Sequence, residues 1–515
     1  MVKPVKAVVI VGGGTAGWLT AGTIAARHQA RMKAGGFSVT LIESADIRAI
    51  GVGEGTWPTM RASLERIGVS ETALFRECDA AFKQGGKFVG WTTGGEGDSY
   101  YHPLMVPQGF SRVNLVPHWL RGGHSASFCD FVTPQGRLCD QGLAPKMITH
   151  GEYRGAANYA YHLDAGKFGP FLAKHCIENL GVRHVLADVE SVKQGESGDI
   201  TSVSTRQAGE LAGDLFIDCS GFSALLIGKT LGVGFKECGD VLLCDTALAV
   251  QVPYATPDAP MPSQTIATAQ DAGWIWDICL PTRRGVGYVY SSRHTSEEAA
   301  QETLLRYIGS QHKERPVRKI PIRAGHRATF WKNNCVAIGL AGGFLEPLES
   351  SAIVLVELSA KLLAEQMPAC REVMDIVARR FNEVTAYRWG RIIDFLKLHY
   401  VLTRRMDTAF WRDNVDPATV PDRLKDMLAL WKYQSPWFFD ELDRLEEVFP
   451  AASYQYVLYG MGFRTEVMPE EMADSAADAV KLVQENARMT AELCTRLPRN
   501  RELLNKIYQY GLQPV

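Results

Sequence analysis

The chain has 515 residues, 46% of them apolar, and its 55 lysines and arginines nearly balance its 57 aspartates and glutamates. This length exceeds one ordinary domain and predicts a large domain with a second, smaller one. The balanced charge argues against nucleic acid and anionic membranes as partners. No uncharged apolar run reaches about 18 residues, so we expect no membrane span.

The eleven cysteines are scattered and form no C-x-x-C pair, which predicts free thiols in a reducing compartment. The start, MVKPVKAVVIVGGG, shows no signal-peptide cleavage region, so we expect the protein in the cytoplasm. The twelve histidines lack a metal-ligand spacing such as H-E-x-x-H, and no metal site is predicted. GHSAS around Ser125 departs from the G-x-S-x-G nucleophile elbow, so no serine nucleophile is predicted there.

The first 44 residues predict a β-α-β unit, and therefore a parallel sheet and an α/β fold class. VKAVVIV (5–11) is a short apolar run typical of a buried strand, WLTAGTIAARH is typical of a helix, and FSVTLIES (37–44) predicts a second strand. ELAGDLFIDCSGFSALLIG (210–228) repeats the order of strand, glycine turn and helix.

The turn after the first strand, VVIVGGGTAGW, fits G-x-G-x-x-G at Gly12, Gly14 and Gly17. Gly12 permits the tight turn, Gly14 lets the backbone approach a pyrophosphate, and Gly17 lets the helix pack closely on the strand. Glu43 ends the second strand, where a carboxylate would hold a ribose hydroxyl. The N-terminal position, together with the later DLFIDCSG (214–221), favours FAD over a nicotinamide cofactor.

The rest of the chain divides by composition and periodicity. Residues 84–160 are rich in Gly, Tyr, His and Trp without a clear period, which suggests that they contribute to a substrate site. The helical period dominates from about residue 380. We therefore expect an FAD-binding domain over residues 1–380 and a helical, substrate-side domain over 381–515.

Two stretches have the composition of ligand contacts. IGVGEGTWP (50–58) is either a strap whose backbone contacts a flat ligand or a plain loop. In GWIWDICLP (273–281), Trp274 and Trp276 point to the same side if the segment is a strand. They would then form an aromatic wall, a pair of core tryptophans, or both.

Two further stretches contain candidate catalytic groups. In FLEPLESSAI (344–353), Ser350 or Ser351 is a plausible N-cap of the following apolar helix. Glu349 is either a first-turn acid favoured by the helix dipole or a base beside an anion bound at the helix start. In CDAAFKQGGKFVGW, Lys83 is either a solvated lysine or the centre of the chemistry.

Together these stretches resemble the flavin-dependent tryptophan halogenase family over nearly the whole chain. The motifs that carry the resemblance are GGGTAGW, AFKQGGKFVGW (81–91), WIWDICLP, FLEPLESSAI and FLKLHYVLTRRMDTAFWRD (395–413). The resemblance implies a Rossmann-like, flavoprotein monooxygenase-type FAD domain, with a helical C-terminal substrate domain and a possible homodimer.

The family's reaction needs reduced FAD (FADH2) from a separate flavin reductase, O2, and chloride or bromide. Hypohalous acid forms at the flavin and passes through an internal tunnel to a lysine, which holds it as a hydrogen-bonded acid or a haloamine. An electron-rich aromatic small molecule is then halogenated. The alternatives are an aromatic monooxygenase on the same scaffold and a flavin-binding protein without catalysis.

The resemblance also assigns residues. Lys83 and Glu349 match the catalytic pair, and the backbone amides of Ser351 and Ala352 match the halide site, although SSA departs from the usual Ser-Thr-Gly or Ser-Thr-Ser. The implied FAD contacts are Gly12, Gly14, Thr15, Ala16, Gly17, Glu43, Gly53, Val189, Leu340 and Ile353. The implied substrate or tunnel contacts are His102, Trp274, Trp276, Pro281, Phe449 and Ser453.

The substrate region departs most from the family. Tryptophan-specific members hold the amino acid with a Tyr-Tyr and a Phe-Trp pair, and residues 433–462 contain neither pair. Phe449-Pro450 lies near the position at which the family has Phe-Trp. This departure argues against free tryptophan as the substrate. We expect an indole, a phenol-like ring or a larger indole-bearing molecule.

Overall fold

The computed structural model of the protein describes residues 2–46, 53–122, 126–438, 446–468 and 470–514. Ser125, residues 50–52 of the glycine-rich stretch and residues 439–445 of the expected substrate region lie outside these ranges.

The strands of the described chain are β1 (Ala7–Val11), β2 (Ser38–Glu43), β3 (Gly53–Gly55), β4 (Ala81–Lys83), β5 (Gly85–Val89), β6 (Ser99–Pro103), β7 (Ala160–Asp164), β8 (Arg183–Leu186), β9 (Val189–Gln194), β10 (Ile200–Thr205), β11 (Gly209–Ala212), β12 (Leu215–Asp218), β13 (Phe235–Glu237), β14 (Thr246–Pro253), β15 (Thr265–Gln270), β16 (Gly273–Cys279), β17 (Arg283–Tyr290), β18 (Arg318–Pro321), β19 (Gly325–Arg327), β20 (Trp331–Lys332), β21 (Cys335–Ala337) and β22 (Gly343–Phe344).

The helices are α1 (Thr15–Arg27), α2 (Gln29–Lys33), α3 (Thr59–Ile67), α4 (Glu71–Glu77), α5 (Leu115–Arg121), α6 (Phe128–Val132), α7 (Gln135–Asp140), α8 (Ala165–Leu180), α9 (Glu297–Ile308), α10 (Ser351–Glu365), α11 (Arg371–Val401), α12 (Ala409–Val415), α13 (Asp422–Trp431), α14 (Ala451–Gly460), α15 (Glu470–Ala473), α16 (Ala476–Arg496) and α17 (Asn500–Tyr510). In the described residues no helix is long and apolar enough to cross a membrane.

A six-stranded sheet in the order β20-β21-β12-β1-β2-β8 contains both strands of the predicted β-α-β unit. Its strands pair in parallel from β21 to β8, and only the edge strand β20 is antiparallel. The apolar run of β1 is buried on both faces. Val8 and Ile10 pack in one cluster with residues of helix α1, and Val9 and Val11 pack in another with residues of strands β10 and β11. The predicted β-α-β unit and the α/β class are thereby confirmed.

The segment after β12 differs from the helix that its sequence predicts. A 3-10 turn over Gly221–Ser223 is followed by a single π-helical segment, Leu225–Thr230. The buried carboxylate of Asp218 accepts hydrogen bonds from the backbone N–H groups of Leu226 and Ile227, each at 2.8 Å. The Asp218 side chain thus satisfies two amides at the start of the π-helical segment and fixes this segment to the end of strand β12, which pairs with β1.

A second sheet of seven strands, β18-β14-β17-β16-β15-β5-β6, contains the two tryptophans of GWIWDICLP on β16. A small sheet, β3-β7-β4, lies next to it, and its register places Gly55 and Ala81 on either side of His162. The glycine-rich strand β3 and the strand that ends at Lys83 are thereby held in one sheet, although 27 residues separate Thr56 from Lys83.

The C-terminal part of the chain is mainly helical, as its periodicity predicts. Helix α11 is 31 residues long and connects the edge of the nucleotide sheet, where Asn382 bonds Trp331, with the interior near His399 and Tyr400. Position 380, the expected domain boundary, lies inside this helix. The division into two domains therefore stays a prediction.

Replacing Gly17 by alanine is expected to destabilise the nucleotide-binding unit. An added Cβ would lie 1.9 Å from the backbone oxygen of Gly12, so the helix must move away from the turn. We expect a loss of about 3 kcal/mol in the free energy of unfolding, the upper part of the range for overpacking. Gly234 is a matched control because an added Cβ there meets nothing within 4 Å, so Gly234→Ala should stay within about 0.5 kcal/mol of the parent in urea unfolding.

Candidate active site

A single cavity of about 1230 Å³ extends from the β1–α1 turn to the buried end of strand β4. It brings together most of the residues that the sequence singles out. The lining includes Gly12, Gly14, Thr15, Ala16, Glu43, Gly53, Lys83, His102, Val189, Trp274, Trp276, Leu340, Glu349, Ser351, Ala352 and Ile353.

The nucleotide end of the cavity is built from backbone. Gly12 has φ +117°, and an added Cβ would lie 2.1 Å from the carbonyl oxygen of Cys219, while one on Gly13 would lie 1.7 Å from Oε2 of Glu43. Helix α1 begins after Gly14 with no side-chain cap and no acid in its first turn. Its free N–H groups therefore favour an anion such as a pyrophosphate, so the residues present fit a dinucleotide.

Glu43 lies at the end of β2, where the sequence places it, and its Oε1 is 2.8 Å from Nε2 of His184. Gly17, in contrast, is not part of the cavity lining and packs against Gly12. This contact between helix and strand is the packing role that its place in the glycine pattern predicts.

Lys83 is buried, with 4% of its surface exposed. Its Nζ donates hydrogen bonds to the backbone oxygen of Thr56 at 3.2 Å and to Oγ of Ser350 at 3.0 Å. An added Cβ on Gly55 would lie 3.1 Å from Nζ and 2.6 Å from that Oγ, so a side chain there would fill the site. Burial lowers the pKa of Lys83 to about 8, against the opposing effect of Glu349. Lys83 is therefore not a solvated lysine.

Glu349 lies between two histidines. Its Oε1 is 2.8 Å from Nδ1 of His102 and 3.3 Å from Nε2 of His399. Burial alone would raise the pKa of Glu349, but these histidines lower it well below its usual value. The carboxylate is therefore kept ionised although it is buried.

The backbone at Glu349 and Ser350 is left-handed, with φ of +63° and +55°. Non-glycine residues seldom adopt this conformation, which costs about 1–3 kcal/mol each. It is held by the histidine contacts and by Nε1–H of Trp57, which donates to the carbonyl oxygen of Glu349 at 2.8 Å. The turn directs Glu349 and Ser350 into the site.

Helix α10 begins directly after this turn. Ser350 occupies the N-cap position but makes no side-chain cap, because its hydroxyl accepts from Lys83 instead. Ser351 and Ala352 form the first turn and line the cavity. N–H groups in a first turn have no partner within the helix, and no acid lies in this one. The helix start is therefore suited to an anion.

The two tryptophans of β16 are both buried and both line the cavity. Their ring centroids are 6.4 Å apart. Trp276 packs on Gly287, where an added Cβ would lie 2.1 Å from Cη2 of the indole. The sequence predicts an aromatic wall, a pair of core tryptophans, or both; in the structure Trp274 and Trp276 are both buried core residues and part of the cavity wall.

Three of the predicted substrate or tunnel residues, Pro281, Phe449 and Ser453, do not line the cavity. The carbonyl oxygen of Pro281 accepts from Arg501, and Ser453 lies buried in helix α14. Phe449 lies one layer behind the cavity, where it stacks on Phe395 at 3.9 Å and contacts Trp57 at 5.0 Å.

Four residues that hold Lys83 and Glu349 in place are not predicted from the sequence: Thr56, Trp57, Ser350 as a partner of Lys83, and His399. A signal was available for His399, because it belongs to FLKLHYVLTRRMDTAFWRD, one of the stretches on which the resemblance rests. Thr56 and Trp57 belong to the glycine-rich stretch 50–58, which the sequence indicates as a strap or a plain loop, but no pattern there indicates a contact with Lys83, which Thr56 makes through its backbone oxygen.

Comparison with known proteins agrees with this architecture. The family model for tryptophan halogenase matches residues 7–478. The tryptophan 6-halogenase SttH of Streptomyces toxytricini is 35% identical over 482 residues, covering 88% of this chain and 89% of that protein.

Two solved structures extend the similarity to the whole fold. The crystal structure of a tryptophan halogenase from Shewanella frigidimarina has a TM-score of 0.96 at 46% identity, covering 100% of this chain and 99% of that one. BrvH, a flavin-dependent halogenase from Brevundimonas sp., has a TM-score of 0.85 at 35% identity, covering 98% and 99%.

A dinucleotide-type sheet that shares one cavity with a buried lysine and a buried carboxylate is the architecture of a flavin-dependent halogenase. The chain belongs to the tryptophan halogenase family. It is thus an enzyme that halogenates an aromatic substrate with reduced flavin, and the comparisons do not support the alternative of an aromatic monooxygenase.

The buried charge of Lys83 should lower the stability of the protein. Because the folded-state pKa is about 8 and the ordinary value is 10.5, the folded state bears the full cost of the charge below pH 8. Between pH 8 and 10.5 the unfolded chain binds more protons, so the stability of the parent rises with pH. Lys83→Met should therefore raise the free energy of unfolding by about 1–3 kcal/mol at pH 7 and by less toward pH 10.

The measurement is urea unfolding of both proteins across this pH range. Lys87→Met is the control, since the ammonium of Lys87 is partly exposed and pairs with Asp140, and its effect should stay within about 1 kcal/mol. A Lys83→Met variant that is less stable than the parent at pH 7 would contradict the predicted cost.

Proposed function

We propose that the enzyme uses FADH2, O2 and a halide, chloride or bromide, to halogenate a neutral, electron-rich aromatic ring held beside Lys83. It would act in the cytoplasm, where a separate flavin reductase supplies the reduced cofactor. The observation that carries the proposal is the single cavity that joins the glycine turn after β1 to Lys83 and Glu349.

In this proposal FAD is held by the backbone-lined end of the cavity. The glycine turn and the start of α1 take the pyrophosphate, Glu43 takes a ribose hydroxyl, and Gly53, Val189, Leu340 and Ile353 contribute further contacts. When bound, reduced FAD supplies the two electrons that O2 needs to convert halide into hypohalous acid.

The halide would lie at the start of α10, next to the amides of Ser351 and Ala352. Backbone N–H groups at a helix start attract an anion regardless of side-chain identity. The departure of SSA from the usual family sequence therefore leaves this role intact.

Lys83 would hold the hypohalous acid by donating a hydrogen bond from its ammonium to the oxidant oxygen. As a ring carbon attacks the halogen, the carbon–halogen bond forms and the oxygen–halogen bond breaks. The departing hydroxide takes a proton from Lys83 and leaves as water. A charged donor in a dry site stabilises the oxygen that gains charge, and Ser350 and Thr56 fix its position.

Glu349 would take the proton that the ring loses on substitution. A base has to be ionised and within reach of the proton that it removes, and the contacts from His102 and His399 keep the carboxylate ionised. The loop that orients Ser350 toward Lys83 also carries Glu349, so donor and base face the same part of the cavity.

The substrate would be uncharged. Among the described residues that line the cavity, Lys83 is the only lysine or arginine, so that lining offers no second cation for a substrate carboxylate. The apolar residues of the lining include Phe88, Leu104 and Pro347, which favour a flat apolar ring such as indole.

Removing either reactive side chain should separate flavin oxidation from halogenation. With a flavin reductase, O2, bromide and indole, Lys83→Ala should abolish bromoindole while flavin oxidation continues. Glu349→Gln should lower the rate of product formation by about 10²–10⁴-fold, the range for a general base. Mass spectrometry measures product, and Lys87→Ala is the matched control that should retain activity. Halogenation that survives unchanged in Lys83→Ala would sink the assignment of Lys83.

In competition, indole should be halogenated in preference to free tryptophan. A zwitterion would have to leave water for a lining with one lysine already committed to the oxidant, and unpaired burial of its charges is costly. We expect at least a tenfold higher kcat/KM for indole, measured from product ratios at equal concentrations. A preference for tryptophan would show that charged substrate contacts exist beyond the described lining.

A further inference from the structure

Glu346 is a second buried carboxylate in the loop that carries Glu349, and nothing in the proposed reaction uses it. It is 1% exposed. Its Oε2 accepts hydrogen bonds from Nε1–H of Trp274 at 3.1 Å and from the hydroxyl of Tyr400 at 2.8 Å. The carboxylate thus joins the cavity wall on β16 to the long helix α11.

The same helix holds both acids of the loop. His399 contacts Glu349, and the next residue, Tyr400, donates to Glu346. The loop that connects β22 to α10 is therefore attached to α11 through Glu346 and Glu349, and the two partners on α11 are adjacent residues. A shift of either attachment would move the left-handed turn at Glu349 and Ser350, and with it the hydroxyl that bonds Lys83.

The surroundings of Glu346 favour a hydrogen-bond acceptor over a charged group. Burial raises the pKa of Glu346, with opposing effects from Trp274, Tyr400 and Cys244 and from the ammonium of Lys397. Burial lowers the pKa of Lys397 to about 7, and its Nζ donates to Asn414 at 3.1 Å rather than to Glu346. Neither group has a polar contact with the reactive pair.

We propose that Glu346 is a positioning residue that fixes the indole of Trp274 and the Glu349–Ser350 turn together, so that the oxidant made at the flavin is delivered to Lys83. This inference rests on the proposed function. Trp274 lines the cavity and is in contact with Trp276 and Trp91. With its N–H anchored, the indole forms a fixed part of the cavity wall.

The test compares Glu346→Gln with Glu346→Leu. Glutamine presents the same acceptor oxygen without charge and should keep the parent's ratio of bromoindole formed to oxygen consumed within twofold. Leucine has a similar volume and no acceptor. It should lower that ratio at least tenfold, with the two electrons of reduced flavin leaving instead as hydrogen peroxide.

A measurement on the flavin-free protein makes the test independent of turnover. The indole N–H of Trp274, labelled with nitrogen-15 and assigned with Trp274→Phe, should exchange slowly with solvent in the parent and in Glu346→Gln. In Glu346→Leu it should shift and exchange at least tenfold faster. If the leucine variant fails to fold, Tyr400→Phe tests the same role, because it removes only one of the two hydrogen bonds to Glu346.

The outcomes separate two failures. A parent enzyme that makes no halogenated product overturns the proposed function, whereas a productive parent with an equally coupled Glu346→Leu variant overturns the positioning role. If Glu346→Gln loses product as severely as Glu346→Leu, the carboxylate charge is what matters and the proposal is wrong.

Discussion

The burial of one ammonium group among neutral oxygens is the constraint on which the site depends. The Nζ of Lys83 bonds a backbone carbonyl and a serine hydroxyl, while the nearby carboxylate of Glu349 bonds histidines instead. A direct ion pair would commit both charges to each other. Keeping them on separate partners leaves the ammonium free to donate and the carboxylate free to accept, at the cost of burying a charge with weak compensation.

This arrangement explains why the turn between β22 and α10 is strained. Glu349 must reach His102 and His399, and the next side chain must reach Lys83. Two successive residues in the left-handed region bring both side chains to their partners within one turn. Such conformations persist only where the surroundings determine them fully, and here strands β3, β4 and β6 and helix α11 all contribute contacts. The strain is thus located at residues to which the proposed reaction assigns a role.

The sequence predicts the local elements of this structure well, but it does not predict which distant residues contact each other. The β-α-β unit, the roles of Gly12 and Gly17 and the strand with Trp274 and Trp276 follow from short-range periodicity and from the space that glycine leaves. The contact between Lys83 and Ser350 spans 267 residues, and no local pattern encodes it. The sequence predicts Ser350 or Ser351 as the N-cap of α10; Ser350 does occupy that position, but its hydroxyl accepts from Lys83 and does not cap the helix. Pro281 and Ser453 were assigned by resemblance alone, and packing places both outside the cavity lining.

The two ends of the cavity place different demands on the sequence. The nucleotide end relies on backbone groups and on the absence of side chains, so it tolerates change wherever a glycine or a helix start is kept. The reactive end relies on a chain of side-chain contacts that begins in the second layer, with Tyr100 bonding His399 at 2.6 Å and His399 contacting Glu349. A substitution in that layer acts by moving the turn, and not by removing a reactive atom. Conversion of this fold to new aromatic substrates is therefore best directed at Leu104 and not at Phe88, because Phe88 stacks on Tyr100 at 4.8 Å and on His399 at 4.6 Å and so belongs to the contacts that fix Glu349.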